Sequence, residues 1–216
     1  MNRKTTLTEQ IYDAILDKIM HNEFPMDRFL TEAYLVESFE ASRAPVREAL
    51  VKLCNENILR AIPRTGYQII QLNLKDINDA IRTRVILETG GVKEILQNVT
   101  PNIVQQLEEL ISQSEQAKRS KKGSLEEWWK NNTGFHIRIS LCAGNALLTD
   151  MVRKTIAILW RATAQFFWNQ DPISYWTFHS GGHAAILDAI KASDEKKLVE
   201  VIAEDVVSLK HIFEIS

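Results

Sequence analysis

The sequence is poor in glycine and proline, which number 8 and 5 among its 216 residues. So few turn-forming residues argue against a loop-rich all-β sandwich and exclude a collagen-like or disordered chain. Because the apolar runs are only a few residues long, no segment is expected to span a membrane. Cys54 and Cys142 lack the spacing of a metal or redox motif, and we expect both to pack as small apolar side chains.

The chain also lacks a general excess of basic charge, since its formal net charge is −2 at neutral pH. Any affinity for nucleic acid must therefore be local. Residues 42–66 hold five basic against two acidic side chains, and acidic residues elsewhere in the first 75 offset that excess. The first residues, from Met1 to Lys4, lead into polar sequence without the apolar stretch of a secretory signal, so we expect a cytoplasmic protein.

The first seventy residues follow the pattern of three helices and a hairpin. Hydrophobic periodicity predicts an amphipathic helix over 7–21, and Thr31 and Ser42 are suitable caps for two short helices that follow. Two β-rich runs then flank a turn that contains proline and glycine, which predicts a β-hairpin. This order predicts a winged helix-turn-helix DNA-binding domain over residues 1–72. The predicted short helices cover 32–39 and 43–57.

The second short helix has the residues that a DNA recognition helix needs. Arg43 and Arg47 lie one turn apart in its first turns, where each side chain can pair with guanine or clamp a phosphate. Ser42 and the free backbone N–H groups of the helix start can bind a phosphate, and Arg64 lies on the hairpin. The alternative is that these arginines are surface charges paired with neighbouring glutamates.

The residues from Ser42 to Leu50 read S-R-A-P-V-R-E-A-L, which matches the S-R-x-P-V-R-E-A-L string of the GntR family of bacterial transcription regulators. The runs Arg28-x-Leu-Thr-Glu32 and Arg64-Thr65-Gly66-Tyr67 fit its flanking segments, so the chain resembles this family. Two positions depart from it: Ala33 replaces a common arginine, and Glu40 replaces the turn glycine. The resemblance implies DNA contacts from Arg28, Ser42, Arg43, Ala44, Arg47, Arg64, Thr65 and Gly66.

Beyond residue 75 the pattern is helical throughout, which predicts a mainly α protein with an all-α domain over 76–216. The segment Arg84-Val85-Ile86-Leu87-Glu88 resembles the start of the FCD effector-binding and dimerisation domain of the FadR subfamily. The segments around His136 and His183 match two further motifs of that domain. The predicted helices cover roughly 76–97, 101–119, 124–142, 145–168, 172–192 and 194–213.

The resemblance also implies a divalent metal ion inside the helical domain, held by Asn132, His136, His183 and Asp205. The family pattern is one Asp and three His, so here an Asn replaces the first carboxylate and an Asp replaces the last imidazole. Two imidazoles with oxygen donors suit zinc, nickel, manganese or iron, although the neutral amide should lower the affinity. His179 is a second candidate ligand, and the alternative for the two matched histidines is a hydrogen-bonded place in the core.

An effector is expected beside this site. Arg84 and Arg161 are candidates to neutralise an anion, and Trp160 is a candidate to line the cavity. By resemblance the effector is a small organic or sugar acid that touches the metal through a carboxylate. The alternatives are a surface or interface position for the arginines and a core position for the tryptophan.

The leading interpretation is therefore a ligand-responsive transcription regulator rather than an enzyme. A homodimer on a palindromic operator is expected because one short recognition helix reads few base pairs, and repression is the more common behaviour in the family. One alternative is a metal sensor with the ion itself as effector. The other is a metal-dependent hydrolase, which needs a general base and an open ligand position; the sequence has no H-E-x-x-H run and no candidate catalytic residue.

Overall fold

The protein is described by a computed structural model that covers residues 5–24, 29–120, 125–167 and 182–213. The predicted mainly α architecture is confirmed, with a helical first unit that carries a small sheet and a second unit built of helices. The first unit extends to Leu72 and includes the end of the long helix α8 from Thr163; the remainder forms the second unit. The elements are α1 (Leu7–Met20), α2 (Glu32–Ser38), α3 (Arg43–Asn55), β1 (Leu59–Ile62), β2 (Gly66–Ile69), α4 (Leu74–Gly90), α5 (Val92–Asn98), α6 (Pro101–Ser120), α7 (Leu125–Cys142), α8 (Ala146–Phe167), α9 (Gly182–Lys191) and α10 (Glu195–Ile212).

The helices of the first unit pack around one apolar core. Thr6 and Glu9 form a capping box that starts α1 by satisfying backbone N–H groups reciprocally. Thr31 caps α2 by accepting a hydrogen bond from the Tyr34 N–H. The buried faces of the three helices and the strands then share one cluster, formed by Ile11, Ile15, Ile19, Phe24, Leu30, Leu35, Val46, Ala49, Leu50, Leu53, Ile58, Leu59 and Ile69. Because Val46 and Leu50 fix one side of α3 in this core, its opposite side faces solvent.

The hairpin forms the wing of this unit. Strands β1 and β2 are antiparallel, with Leu59 opposite Ile69 and Ile62 opposite Gly66. Leu30 extends the pairing, since its N–H and C=O both bond the backbone of Tyr67 at 2.8 Å. Gly66 has φ +136°, and a Cβ there would lie 2.5 Å from the Leu30 carbonyl oxygen. This position therefore requires glycine, both for its backbone conformation and for the close approach of the two chains.

The second unit differs from the prediction at its first helix. A single helix over 76–97 was expected, but α4 ends at Gly90 and α5 begins at Val92. Two consecutive glycines weaken a helix by about 1 kcal/mol each relative to alanine. A Cβ at Gly91 would also lie 3.1 Å from that of Ala143, so the break brings two segments close together. Asn73 and Asp76 form a capping box that starts α4 slightly earlier than predicted.

Part of the prediction falls on residues that the structure does not describe. Of the helix predicted over 172–192, only the part from Gly182 is described, as α9. Arg28 and His179 also lie outside the described residues. Across the part of the chain that is described, no helix has the length and apolar character needed to cross a membrane.

Candidate functional site

The exposed side of α3 presents the residues predicted to contact DNA. Ser42 takes the N-cap position in an extended conformation, and its hydroxyl forms no capping hydrogen bond within the described chain. Arg43, Ala44 and Arg47 are exposed, and the Arg47 side chain is 72% accessible. The start of α3 therefore offers free backbone N–H groups, one hydroxyl and two guanidinium groups on a single face, which suits binding of phosphate and base edges.

The turn between α2 and α3 adopts the conformation that the family's glycine would favour. Glu40 has φ +48°, in the left-handed region, and its side chain is exposed. A non-glycine residue pays about 1–2 kcal/mol in this conformation because its Cβ approaches the neighbouring carbonyl oxygen. Glu40 thus introduces both backbone strain and a negative charge next to the candidate DNA-binding face.

The tip of the wing carries the other three predicted contacts. Arg64 is exposed and has φ +65°, which turns the chain between the two strands. Thr65 is held by a backbone hydrogen bond to Ile62, and Gly66 follows at the close approach to Leu30. The predicted wing residues therefore lie together at the exposed end of the hairpin.

In the second unit, the four predicted metal ligands come together from three helices. His136 Nε2 lies 3.0 Å from Asp205 Oδ2 and 3.3 Å from His183 Nε2. The Asn132 amide nitrogen lies 3.4 Å from His183 Nε2. One donor atom from each of His136, His183 and Asp205 falls within 4.8 Å of the others. Side chains of α7, α9 and α10 thus converge on one point.

Asn132 contributes a buried polar atom at this point. Its side-chain oxygen is buried and has no hydrogen-bond partner among the described residues. Rotating the amide by 180° exchanges its two ends and directs the oxygen towards His183. Leaving a buried acceptor unpaired costs about 1–3 kcal/mol, and a bound cation would remove that cost.

Glu88 supports this cluster, and the sequence analysis did not select it as a site residue. Its carboxylate accepts from His136 Nδ1 at 2.7 Å and from Arg84 Nε at 2.5 Å. Burial opposes ionisation of Glu88, but the charges and hydrogen bonds of Arg84 and His136 outweigh burial and lower its pKa to about 2. Burial also opposes the charged form of His136, but the charge of Glu88 and the hydrogen bonds with Asp205 and Glu88 together outweigh burial and raise the pKa of His136. A carboxylate at Nδ1 orients the ring so that Nε2 faces Asp205 and His183, and such a carboxylate–histidine pair is common beside metal ions.

Arg84 is fully buried in the same network. Its Nε donates the hydrogen bond to Glu88. Its two terminal nitrogens, Nη1 and Nη2, are buried and have no hydrogen-bond partner among the described residues. A guanidinium edge with two parallel N–H donors is the geometry that recognises a carboxylate. Nη1 and Nη2 are therefore the two donor atoms that Arg84 would use in its predicted anion-binding role.

Two further close contacts position His183 and Asp205 in this cluster. The His183 ring stacks on Phe135, with centroids 4.1 Å apart and planes at 16°. Gly182 lies against Asp205, since a Cβ at Gly182 would be 1.8 Å from Asp205 Oδ1. The carboxylate of Asp205 can reach His136 because no side chain projects from Gly182. Sequence reasoning missed this dependence, because nothing in the local pattern links a residue of α9 to one of α10.

The other two predicted effector residues have different neighbours. Trp160 stacks on the buried Trp129 at a centroid distance of 5.4 Å, which is the core packing that the sequence left open as an alternative. Arg161 is half-buried. Burial lowers its pKa, and the charge of Asp76 opposes that change. Trp160 thus stacks on Trp129, and the charge of Asp76 acts on Arg161, whereas Arg84 joins the His136 cluster through Glu88.

Comparison with known proteins gives matches along both units. Residues 7–69 match the family described as bacterial regulatory proteins, gntR family, and residues 79–207 match the FCD domain. The transcriptional regulator McbR of Escherichia coli is 26% identical over 202 residues, which cover 94% of this chain and 90% of McbR. The solved structure of E. coli McbR/YncC superimposes with a TM-score of 0.77 at 22% identity and covers 97% of each chain.

Two further relatives are also regulators. The transcriptional repressor RspR of E. coli is 23% identical over 172 residues, covering 80% of this chain and 75% of RspR. The uncharacterised regulator YdhC of Bacillus subtilis is 27% identical over 117 residues. That match covers 54% of this chain and spans about half the length of YdhC, 52%.

Proposed function

The chain belongs to the GntR family of bacterial transcription regulators, with an FCD domain, and from that premise we propose that a carboxylate effector controls its affinity for operator DNA. The effector is held in the second unit by Arg84 together with a divalent metal ion. The observation that carries this proposal is the buried chain from Arg84 through Glu88 to His136, which ends at the convergent donors of Asp205 and His183.

The first unit supplies DNA binding. Arg43 and Arg47 contact bases or phosphates from the start of α3, and Ser42 binds a phosphate with the backbone N–H groups there. Arg64, Thr65 and Gly66 reach the backbone or minor groove from the wing. Since one α3 reads only a few base pairs, the protein acts as a homodimer on a palindromic site. Repression by occupying a promoter is the proposed outcome, in line with the relative RspR, which is a transcriptional repressor.

The residues of the second unit fit a divalent ion. His136 and His183 offer imidazole nitrogens, Asp205 offers a carboxylate oxygen, and Asn132 offers an amide oxygen that is otherwise unpaired. Two nitrogen and two oxygen donors suit zinc, nickel, manganese or iron. When bound, the ion would supply a Lewis-acidic position for the effector carboxylate. Glu88 keeps His136 directed towards that position.

Charge balance favours an anionic effector. A divalent ion and Arg84 carry three positive charges, and the carboxylates of Glu88 and Asp205 carry two negative ones. A buried excess of one positive charge is costly unless a counter-ion compensates it. A carboxylate supplies that charge and two acceptor oxygens for Nη1 and Nη2 of Arg84. The proposed effectors are therefore small organic or sugar acids with at least one carboxylate.

The test is operator affinity as a function of metal and acid. A duplex that the wild-type protein selects from a randomised pool serves as the probe, and fluorescence anisotropy gives its Kd. Lactate, gluconate and citrate are titrated against metal-free and zinc- or manganese-loaded protein. At least one acid is expected to change the operator Kd of the loaded protein tenfold or more, and His183→Ala is expected to remove that response while leaving DNA affinity without acid unchanged. A response of the same size in His183→Ala contradicts the proposed effector site.

A second candidate is a metal-responsive regulator with the ion as its effector. Asn132 is the observation that favours it, because a neutral amide in place of a carboxylate weakens binding and makes it reversible. In the same titration, this candidate predicts a change in operator Kd with micromolar free metal and no organic acid. The proposed acid effector predicts that metal alone leaves the Kd within twofold. Catalysis is not proposed, because the family and the relatives are transcription regulators.

A further inference from the structure

Three side chains from different elements form a chain of one hydrogen bond and one ion pair that ends at the candidate base-reading residue Arg47. The Tyr67 hydroxyl of β2 donates to Glu32 Oε1 at 3.2 Å. The same oxygen, at the first residue of α2, lies 3.7 Å from Arg47 Nε on α3. The wing, the first helix of the helix-turn-helix and the recognition helix therefore meet through one carboxylate.

The first two members of this chain are held firmly by the backbone around them. The reciprocal hydrogen bonds between Leu30 and Tyr67 fix the wing strand two residues before Glu32. Glycine at position 66 is what permits that approach. Burial raises the pKa of Tyr67, and the adjacent Glu32 carboxylate raises it further, so the phenol stays protonated as the donor. The Glu32 carboxylate is thus presented to α3 from a defined place.

Arg47 gains little stability from this contact. Its side chain is 72% accessible and that of Glu32 is 34% accessible, and ion pairs this exposed contribute little to stability. The contact instead affects the orientation of the Arg47 guanidinium group. A carboxylate at Nε leaves the edge formed by Nη1 and Nη2, which is the pair of donors that recognises guanine O6 and N7. An arginine whose orientation is already biased by Glu32 also loses less rotamer freedom when it binds DNA.

We propose that Glu32 and Tyr67 are positioning residues that set the sequence specificity of Arg47. Glu32 orients the guanidinium, and Tyr67 holds Glu32 in place from the wing. The inference rests on the proposed DNA contact of Arg47 and adds two residues that do not themselves need to touch DNA.

The experiment measures specificity as the ratio of affinities for the selected duplex and for a scrambled duplex of the same composition. Tyr67→Phe removes one oxygen atom and leaves the hairpin backbone intact. It is expected to lower the specificity ratio by about 2- to 5-fold, because an exposed ion pair can bias the orientation of one side chain by no more than that factor. Glu32→Gln is expected to lower it by a similar factor. In an Arg47→Ala background, Tyr67→Phe is expected to have no further effect, because the residue through which it acts is gone.

A matched control lies in the same unit. The Tyr12 hydroxyl donates to Glu56 at the C-terminal end of α3. Tyr12→Phe therefore removes a tyrosine–glutamate hydrogen bond at a distance from the start of the recognition helix. Thermal unfolding of all variants separates loss of stability from loss of specificity. The control is expected to keep the wild-type specificity ratio even if its melting temperature falls.

Four results would overturn the inference. The specificity ratio of both Tyr67→Phe and Glu32→Gln could stay at the wild-type value, or it could rise, which would mean that Glu32 restrains Arg47 instead. Tyr67→Phe could have its full effect in the Arg47→Ala background, which would mean that Tyr67 acts elsewhere. Finally, Arg47→Ala alone could leave affinity unchanged, which would remove the proposed DNA contact itself. This last result can be told apart from the other three because it is measured on Arg47→Ala alone, with Tyr67 and Glu32 intact.

Discussion

Replacing Gly182 by alanine tests whether the cluster around His136 depends on the close packing of α9 against α10. The added Cβ would lie 1.8 Å from Asp205 Oδ1 and 2.6 Å from Asp205 Cγ. Such distances are far inside van der Waals contact, so the carboxylate or the start of α9 must move. Either movement separates Asp205 from His136 Nε2, which it now contacts at 3.0 Å.

The magnitude follows from the ligand that is displaced. Removing an outer partner that only orients a metal ligand lowers metal affinity by about 10- to 100-fold. If Asp205 is itself a metal ligand, losing its position is expected to lower metal affinity by at least about 10-fold. Competition with a chromophoric chelator for zinc or manganese measures that change directly. An unchanged affinity in Gly182→Ala would refute the argument that this glycine makes room for the ligand.

Gly134→Ala is the matched control for this variant. Gly134 lies on α7 between the predicted ligands Asn132 and His136, and a Cβ there would meet Leu110 Cδ2 at an ordinary 3.8 Å. Alanine is favoured over glycine inside a helix by about 0.5–1 kcal/mol. The control is therefore expected to raise stability slightly and to leave metal affinity unchanged. A similar loss of affinity in both variants would point to general sensitivity of the bundle.

Three further predictions concern both units. Arg43→Ala should weaken binding to the selected duplex by about 1–3 kcal/mol if the side chain contacts a base, and unchanged anisotropy titrations would exclude that contact. Glu40→Gly should raise the free energy of unfolding by about 0.5–1 kcal/mol, because the relief of the left-handed backbone strain exceeds the extra conformational entropy of glycine in the unfolded chain. It should also tighten DNA binding at low salt, because it removes a negative charge. Glu40→Gln should tighten DNA binding without raising stability. Glu88→Gln should lower the free energy of unfolding by about 3–5 kcal/mol, because it leaves Arg84 buried without a carboxylate, as urea denaturation can measure. The pKa of Glu88 is lowered to about 2, so the stability that its carboxylate contributes is fully present above pH 4.5 and is lost as the pH falls towards 2. The difference in unfolding free energy between wild type and Glu88→Gln should therefore shrink at acidic pH. A difference that grows there would contradict this assignment.

Much of the fold is predictable because its signals are local. Caps at Thr31 and Ser42, apolar periodicity in α1 and the proline–glycine turn of the wing each depend on a few adjacent residues. The left-handed turn at Glu40 was also visible, as a departure from a family glycine. The break at Gly91 was missed although the pair Gly90 and Gly91 is a local signal, because weak helix propensity alone does not fix a break. Its exact place also reflects packing against Ala143, which is distant in sequence.

The candidate sites divide in the same way. The pairs Asn132 and His136, or Arg84 and Glu88, share helix faces through four-residue spacing, so sequence indicates which side chains point together. The bridge from Glu88 to His136 and the fit of Gly182 against Asp205 join different helices. Such contacts depend on how the helices pack, and a single sequence does not specify them. The chain from Tyr67 to Arg47 likewise exists only because the wing folds back on the segment before α2.

Metal content is the most direct test of the proposed effector site. Elemental mass spectrometry is applied to tag-free protein purified without chelators, and to His183→Ala prepared in the same way. The account predicts close to one divalent ion per wild-type chain and less than a tenth of that in the variant. A wild-type protein that holds no ion, even after incubation with zinc, nickel, manganese and iron and removal of the excess, would contradict the metal-linked effector site built on Asn132, His136, His183 and Asp205.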